Sequence, residues 1–404
     1  MNISFSYFSR SAPNVTGISS MRFMFFILCI TVTSTASDAQ KIFDTELHKV
    51  RAVSLVAGLA NPWGLAFLPD GRMLVTERAG RMRIIENGKL LPAVISGLPL
   101  AVEHGQGGML DVVLHPKYGQ STEFNWIYWS YNAGTPGSYG TEVARGKLGG
   151  PRDAPAMTDV QVLFKMMPKS EKSFHFGSRI VFDRQGFMIV TLGDRGDDPA
   201  KGYRERAQKL NDHAGKSIRL TDDGKVPPDN PFVKTPNARP EIWTLGNRNM
   251  QGAAMHPLTG KIWSHEHGPQ GGDEINILTG GTNYGWPVIT YGVNYGSGTK
   301  IGEGAAKEGM APPLYIWVPS IAPSGMAFYT GANFPRWKGN LFVGALVKQS
   351  LVRLTLDGEN VVKEERMFEN KLGRVRDVRD GPDGNLYLLT DSADGEIIRL
   401  EVVK

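Results

Sequence analysis

Short apolar runs alternate with polar turns along the chain in a recurring unit, in which an apolar strand enters a Pro/Asp/Gly turn and a second apolar or aromatic strand leaves it. The plainest copy is Leu65-Ala66-Phe67-Leu68-Pro69-Asp70-Gly71-Arg72-Met73-Leu74-Val75-Thr76. Related hairpins are Val112–Pro116 with Trp126–Trp129, Ile180–Thr191, and Ala254–Pro257 with Lys261–Trp263. Two more follow, Met326–Phe328 with Asn340–Val343, and Val378–Leu389. Six hairpins about 50 to 75 residues apart, with no amphipathic helix between them, predict an all-β chain: a six-bladed β-propeller with four-stranded antiparallel blades. A two-sheet sandwich with long insertions is the alternative, but it gives no reason for a hairpin at blade-sized intervals. In a propeller the innermost strands and their loops line a central channel, so polar residues beside the hairpins are the candidates for function.

Composition narrows the picture. The 48 glycines and 25 prolines are spread along the 404 residues, as many tight turns require. With 41% hydrophobic and 21% charged residues, disordered and collagen-like chains are excluded. Near the N-terminus, Arg22 precedes the apolar run Phe23–Val32 and the small-residue stretch Ser34–Ala39, with Ser37 and Ala39 placed for cleavage before Gln40. Residues 1–39 are therefore read as a secretory signal peptide, with Met21 as an alternative start, and residues 40–404 as one propeller domain. The apolar run is about ten residues long, too short to span a bilayer, so no membrane span is expected. Its Cys29 is the chain's only cysteine, which leaves the mature protein without a disulfide and suits a periplasmic or secreted location. Removal of Arg10, Arg22 and Asp38 takes the net charge from +5 to about +4, with no long Lys/Arg run, so nucleic acid is not an expected partner.

Several polar clusters adjoin the repeats. His175, in Ser173-Phe174-His175-Phe176-Gly177-Ser178-Arg179, precedes a strand whose far end is Gly193-Asp194-Arg195-Gly196; a histidine there can accept a proton near neutral pH, or serve as a hydrogen-bonded structural residue. Arg248, Asn249 and Gln251 lie together between two apolar strands. Arg374 and Arg376 alternate, so an extended strand points both guanidinium groups to one side; they call for an anion or are solvated edge residues. Glu266–Asn276 and Gly281–Pro287 combine glycine and proline carbonyls with the Asp273 and Glu274 carboxylates, hard oxygen ligands that suit calcium better than zinc. His265 and His267 lack the helical spacing of a zinc-protease pair.

From Leu59 to the C-terminus the chain resembles the soluble aldose sugar dehydrogenases that depend on pyrroloquinoline quinone (PQQ), relatives of the soluble quinoprotein glucose dehydrogenases. The resemblance rests on Gly105-Gln106-Gly107-Gly108, His175 with Gly177-Ser178-Arg179, Gly193-Asp194, Arg248-Asn249 with Gln251, Glu266–Asn276, Asn283-Tyr284-Gly285-Trp286-Pro287, and Arg374 with Arg376, in that order. It implies that His175 is the general base for the anomeric hydroxyl, and that Gln106, Arg248, Asn249, Gln251, Arg374 and Arg376 contact PQQ. It implies further that the carbonyls of Gly268 and Pro269 hold the Ca2+ that bridges to PQQ, while Glu274 with Tyr284 forms a second, structural calcium site. An aldose would be the substrate, an unidentified acceptor would take the electrons, and the protein would be a monomer or homodimer. Flat guanidinium groups suit a flat tricarboxylate, and the chain has no Gly-rich βαβ start for a nicotinamide or flavin. Two departures stand out. The cofactor lysine of glucose-specific relatives aligns with Val347, one residue from Lys348, and Arg195 stands where some relatives carry glutamine, which bears on substrate preference. A calcium-dependent propeller lactonase explains Asp273 and Glu274 but not an arginine set beside a histidine, and a non-catalytic binding propeller does not require a base at all.

Overall fold

In a computed structural model, residues 41–196 and 202–403 are described; the proposed signal peptide and Cys29 lie outside them. The chain enters through β1 (Lys41–Asp44) and β2 (Lys49–Leu59). Blade one follows as β3 (Pro62–Phe67), β4 (Met73–Glu77), β5 (Arg81–Glu86) and β6 (Lys89–Val94). Blade two is β7 (Met109–Leu114), β8 (Ile127–Thr135), β9 (Ser138–Gly149) and β10 (Ala156–Lys165). Blade three is β11 (Ile180–Phe182), β12 (Met188–Thr191), β13 (Ser217–Leu220) and β14 (Ile242–Thr244). Blade four is β15 (Met250–Met255), β16 (Ile262–Glu266), β17 (Asp273–Ile277) and β18 (Tyr315–Trp317). Blade five is β19 (Pro323–Phe328), β20 (Leu341–Ala345), β21 (Ser350–Asp357) and β22 (Asn360–Met367). Blade six is β23 (Val375–Asp380), β24 (Leu386–Thr390) and β25 (Gly395–Val402), completed by β2 and flanked by β1.

Every predicted hairpin is the innermost pair of an antiparallel blade, so the six-bladed all-β reading holds. The pattern was clear because β4, β20 and β24 are buried along their whole length, each lying between two neighbouring blades. Each gap between blades is an apolar core. Leu74 and Ile84 meet Trp129 and Ala144 between blades one and two, and Tyr387 and Leu389 meet Leu65 and Val75 between blades six and one. The ring closes when β2 pairs with β25 from Val50↔Val402 to Leu59↔Gly395, which ties the first strands of the domain to the last.

The innermost strands meet their neighbours all the way round, β3 on β7, β7 on β11, β11 on β15, β15 on β19, β19 on β23 and β23 on β3. Where they converge, a buried ion cluster crosses the channel. Arg179 Nη1 lies 3.0 Å from both Asp111 Oδ1 and Asp377 Oδ1, and Arg379 reaches Asp111 at 2.5 Å and Asp377 at 2.7 Å. The amides of Ile180 and Leu65 donate to the same two carboxylates, so the cluster is hydrogen-bonded as well as paired. On one side of it, around the last residues of β7, β11, β15, β19 and β23, opens an apolar-lined cavity of about 350 Å³. On the other, where the innermost strands begin and the second strands end, lie His175, Asp194, Arg248 and Glu266.

Candidate active site

His175 sits just before β11 at φ 58°, a left-handed conformation that a non-glycine residue adopts only when its surroundings impose it. Its ring Nδ1 is 2.7 Å from Asp194 Oδ1, in the loop that follows the neighbouring strand β12. Asp194 is fully buried; Trp286 Nε1 donates to its Oδ2 at 2.8 Å and the Gly196 amide to its Oδ1 at 2.8 Å. Those donors make the carboxylate an acceptor toward His175, which places the ring proton on Nδ1 and makes Nε2 the basic nitrogen of the ring. Gln106 holds the loop from the other side: its Oε1 accepts the His175 amide at 3.0 Å, and its own amide donates to Ser173 O at 2.7 Å.

The arginines gather close by. Arg248 Nη1 donates to the carbonyls of His267 at 3.0 Å and Gly268 at 2.7 Å, with its guanidinium 5.3 Å from the Trp286 ring centre. Buried Arg376 donates to Gln251 Oε1 at 2.9 Å and pairs with Asp391 at 2.8 Å, which exposed Arg374 also reaches at 3.1 Å. Arg374 and Arg376 therefore do point to one side. Burial pushes the His267 ring down to about 3 despite its opposing bond to Pro323 O, and the charges of Arg248, His175 and Arg376 add to that fall. One ring thus feels three of the predicted site residues, from blades three, four and six. Two buried donors of predicted site residues, Asn249 Nδ2 and Arg376 Nε, have no hydrogen-bond partner among the described residues. Unpaired buried donors call for an acceptor-rich ligand.

Burial alone would raise the Asp391 carboxyl, but Arg376 and then Arg374 outweigh it and hold the group down, to about 2. A depressed acid contributes stability that is present above its unfolded value near 3.8 and is lost as pH falls toward 2, here about 2 kcal/mol. Urea titrations at pH 2 to 5 should show this loss in the wild type and its absence in Asp391→Asn.

Glu266 and Glu274 are direct partners across the antiparallel β16–β17 pair. Asn276 Nδ2 reaches both, at 3.2 and 3.4 Å, and Glu266 also takes the Asn247 side chain at 2.9 Å and the Arg248 amide. Burial raises both carboxyls above the usual range, and the charge of Glu266 raises Glu274 further. They border a tight cleft lined also by Gly268, Tyr284, Trp286 and Arg248, so most residues of the two expected calcium sites share one space. Tyr284 donates its hydroxyl to Ile277 O at 2.5 Å, and any part it takes in holding a cation falls to its main-chain oxygen. Among the described residues no three His, Cys, Asp or Glu side chains cluster as a metal site, so a cation here needs main-chain oxygens.

The chain matches the glucose/sorbosone dehydrogenase family over residues 59–399. It is 46% identical over 345 residues to an aldose sugar dehydrogenase of Escherichia coli (strain K12), covering 85% of this chain and 90% of that one. It belongs to the glucose/sorbosone dehydrogenase family. A quinoprotein glucose dehydrogenase B of Acinetobacter calcoaceticus is 28% identical over 84% of this chain and 85% of its own length. The crystal structure of the E. coli aldose sugar dehydrogenase in its apo-form superposes with a TM-score of 0.82 at 44% identity, covering 88% of this chain and all (100%) of that one. The PQQ-bound aldose sugar dehydrogenase of Streptomyces coelicolor gives 0.70 at 26% identity over 88% of this chain and 99% of that one.

In this member of the dehydrogenase family two expectations change. Asp273 was expected to offer a carboxylate to a cation, but its oxygens accept from the amides of Gly268, Ile321 and Ala322 and from Ser320 Oγ, so it ties two loops together. Arg195 was expected to bear on substrate choice, but it is fully buried, with its guanidinium turned onto the loop before His175; burial, then Arg206, pushes its pKa down to about 9. Lys348 lies exposed in the turn between β20 and β21. Sequence reasoning assigned no role to Asp194, Trp286, Asp391 or His267. Asp194 and Trp286 do stand inside quoted motifs, and an acid next to a loop glycine beside a candidate base was the available signal.

Proposed function

We propose that the protein oxidises aldoses at C1 to the lactone, using PQQ and calcium and passing electrons to an external acceptor. The observation that carries this is the buried His175–Asp194 pair set beside Arg248 and Arg376, with the unpaired donors of Arg376 and Asn249 among them. The residues fit a flat tricarboxylate: Gln106, Arg248, Asn249, Gln251, Arg374 and Arg376 would hold PQQ through charge-assisted bonds. They also fit a cation, since two buried carboxylates side by side are each costly to ionise without one. The carbonyls of Gly268 and Pro269 would hold the calcium beside the cofactor, and Glu274 with Tyr284 the structural calcium. When bound, PQQ supplies the ortho-quinone that takes up the hydride from C1.

The work of the chain's own residues is proton transfer and positioning. His175 Nε2 accepts the proton of the anomeric hydroxyl as the C1–H bond breaks, and Asp194 stabilises the ring as it becomes charged. Trp286 and the Gly196 amide keep Asp194 in place. Gln106 holds the His175 backbone by accepting its amide. The apolar run and small-residue stretch before Gln40 support export, and among the described residues no helix is long and apolar enough to cross a membrane.

Two measurements bear on this. Glucose deuterated at C1 should give a primary isotope effect on dye reduction under reconstituted conditions, with gluconolactone as product; an isotope effect from any other carbon contradicts oxidation at C1. Calcium added to apo-protein at 100 times its Kd should raise Tm by about 3–4 °C, from about 2.7 kcal/mol of binding spread over a chain of this size. Glu274→Gln should remove the share of that calcium-dependent rise that the structural site contributes.

A further inference from the structure

Arg195 stands one residue past Asp194, and the two side chains turn toward the same loop. Asp194 meets the His175 ring. Arg195 instead donates to the main chain that carries His175: Nη1 to Phe174 O at 2.8 Å and Nη2 to Lys172 O at 2.6 Å. Its guanidinium lies 3.6 Å from the ring centre of Phe176, the residue on the other side of His175. A single planar group therefore holds the segment immediately before His175 by two bonds and the residue after it by stacking.

That grip matters because of the backbone it acts on. His175 has φ 58° and Arg195 itself φ 69°, so two non-glycine residues hold left-handed conformations opposite each other. Left to itself, a loop with a left-handed histidine relaxes toward the ordinary α or β regions, which would swing the imidazole away from Asp194. Gln106 fixes one amide of this loop, and Arg195 fixes two carbonyls. Arg195 is fully buried, and burying a guanidinium is costly unless its donors are used; both terminal nitrogens are used on this loop, while Nε has no partner among the described residues.

We infer that Arg195 is a positioning residue for the reaction: through the Lys172 and Phe174 carbonyls and the Phe176 ring it holds the His175 backbone in the conformation that keeps the imidazole on Asp194. The inference rests on the reading of His175 as the proton acceptor, and it assigns to Arg195 no contact with the sugar.

The test compares wild type, Arg195→Met, which keeps length but has no donor, and Arg195→Lys, which keeps the charge and can reach one carbonyl. Arg195→Met should lower kcat about tenfold with KM within about twofold, the signature of a misplaced base and not of lost sugar binding. In the apo-protein, NMR of the histidine ring assigned through His175→Ala should show His175 titrating at a different pH in Arg195→Met, with Arg195→Lys between it and wild type. A lower Tm with the titration and kcat of wild type would overturn the inference and leave Arg195 a structural residue. If Arg195→Met does not fold, the same two readouts in Arg195→Lys decide: unmoved, they overturn it. Full turnover in His175→Ala would instead remove the reading of His175 as base, a separate failure, because the NMR readout does not depend on turnover.

Discussion

His175→Ala should lower kcat for aldose oxidation between about 10²- and 10⁴-fold while leaving PQQ binding and the fold in place. Hydride departure from C1 leaves an oxocarbenium-like centre that becomes a lactone only when the hydroxyl proton goes, so a site without an acceptor must hand that proton to water. The ring meets Asp194 at its Nδ1 and Phe174 edge-on, and among the described residues no apolar core includes it. Alanine also adopts φ 58° no more readily than histidine does, so a modest fall in Tm is expected beside the large fall in rate. Stopped-flow dye reduction at saturating sugar, with PQQ loading checked by absorbance, separates the two. A kcat within threefold of wild type would leave His175 a structural histidine.

Asp194→Asn should cost nearly as much, for a reason that lies in hydrogen-bond direction and not in size. The carboxylate accepts from Trp286 Nε1 on one oxygen and from His175 Nδ1 and the Gly196 amide on the other. An asparagine has one oxygen for these donors. If that oxygen stays with the indole, its NH2 faces the imidazole, which must then carry its proton on Nε2, where the sugar hydroxyl needs a lone pair. If the amide turns round, the indole N–H is left buried without an acceptor and the ring loses the charge that stabilises its protonated form. Either way kcat falls by roughly 10² to 10⁴, with KM little changed, and no added base in the buffer restores it, because the site is buried. Steady-state kinetics across pH 6 to 9 checks this. A wild-type rate in Asp194→Asn would show that the tautomer does not matter.

The two large effects share a feature that also explains what could be read from the chain alone. Hairpins such as Leu65–Thr76 were legible because both strands are buried on both faces and a Pro-Asp-Gly turn joins them within a dozen or so residues. The outer strands were not: β10 and β22 alternate poorly, carry bulges, and face solvent for much of their length. Closure through β2 and β25 joins segments from opposite ends of the domain, and no local pattern announces it. The site divides in the same way. His175, Arg248 and Arg376 stood out because a basic or titratable residue beside a repeat is unusual in itself. Their partners did not, because a partner is a fact of three dimensions. Asp194 becomes an orienting group only when Trp286, from the following blade, is seen to hold it, and Asp391 only when two arginines of β23 and its lead-in turn out to share it. Asp273 went the other way, since an acid in a glycine-rich loop looks like a cation ligand until its oxygens are found occupied by amides.

Reconstitution tests most directly whether these residues form a quinone-dependent sugar dehydrogenase site. Purified apo-protein should be titrated with PQQ, with and without calcium, while an artificial dye reports glucose and other aldoses being oxidised; nicotinamide and flavin serve as controls. Saturable activity that requires both PQQ and calcium and vanishes in His175→Ala is the predicted result. Folded protein that oxidises no aldose under any of these conditions would contradict it.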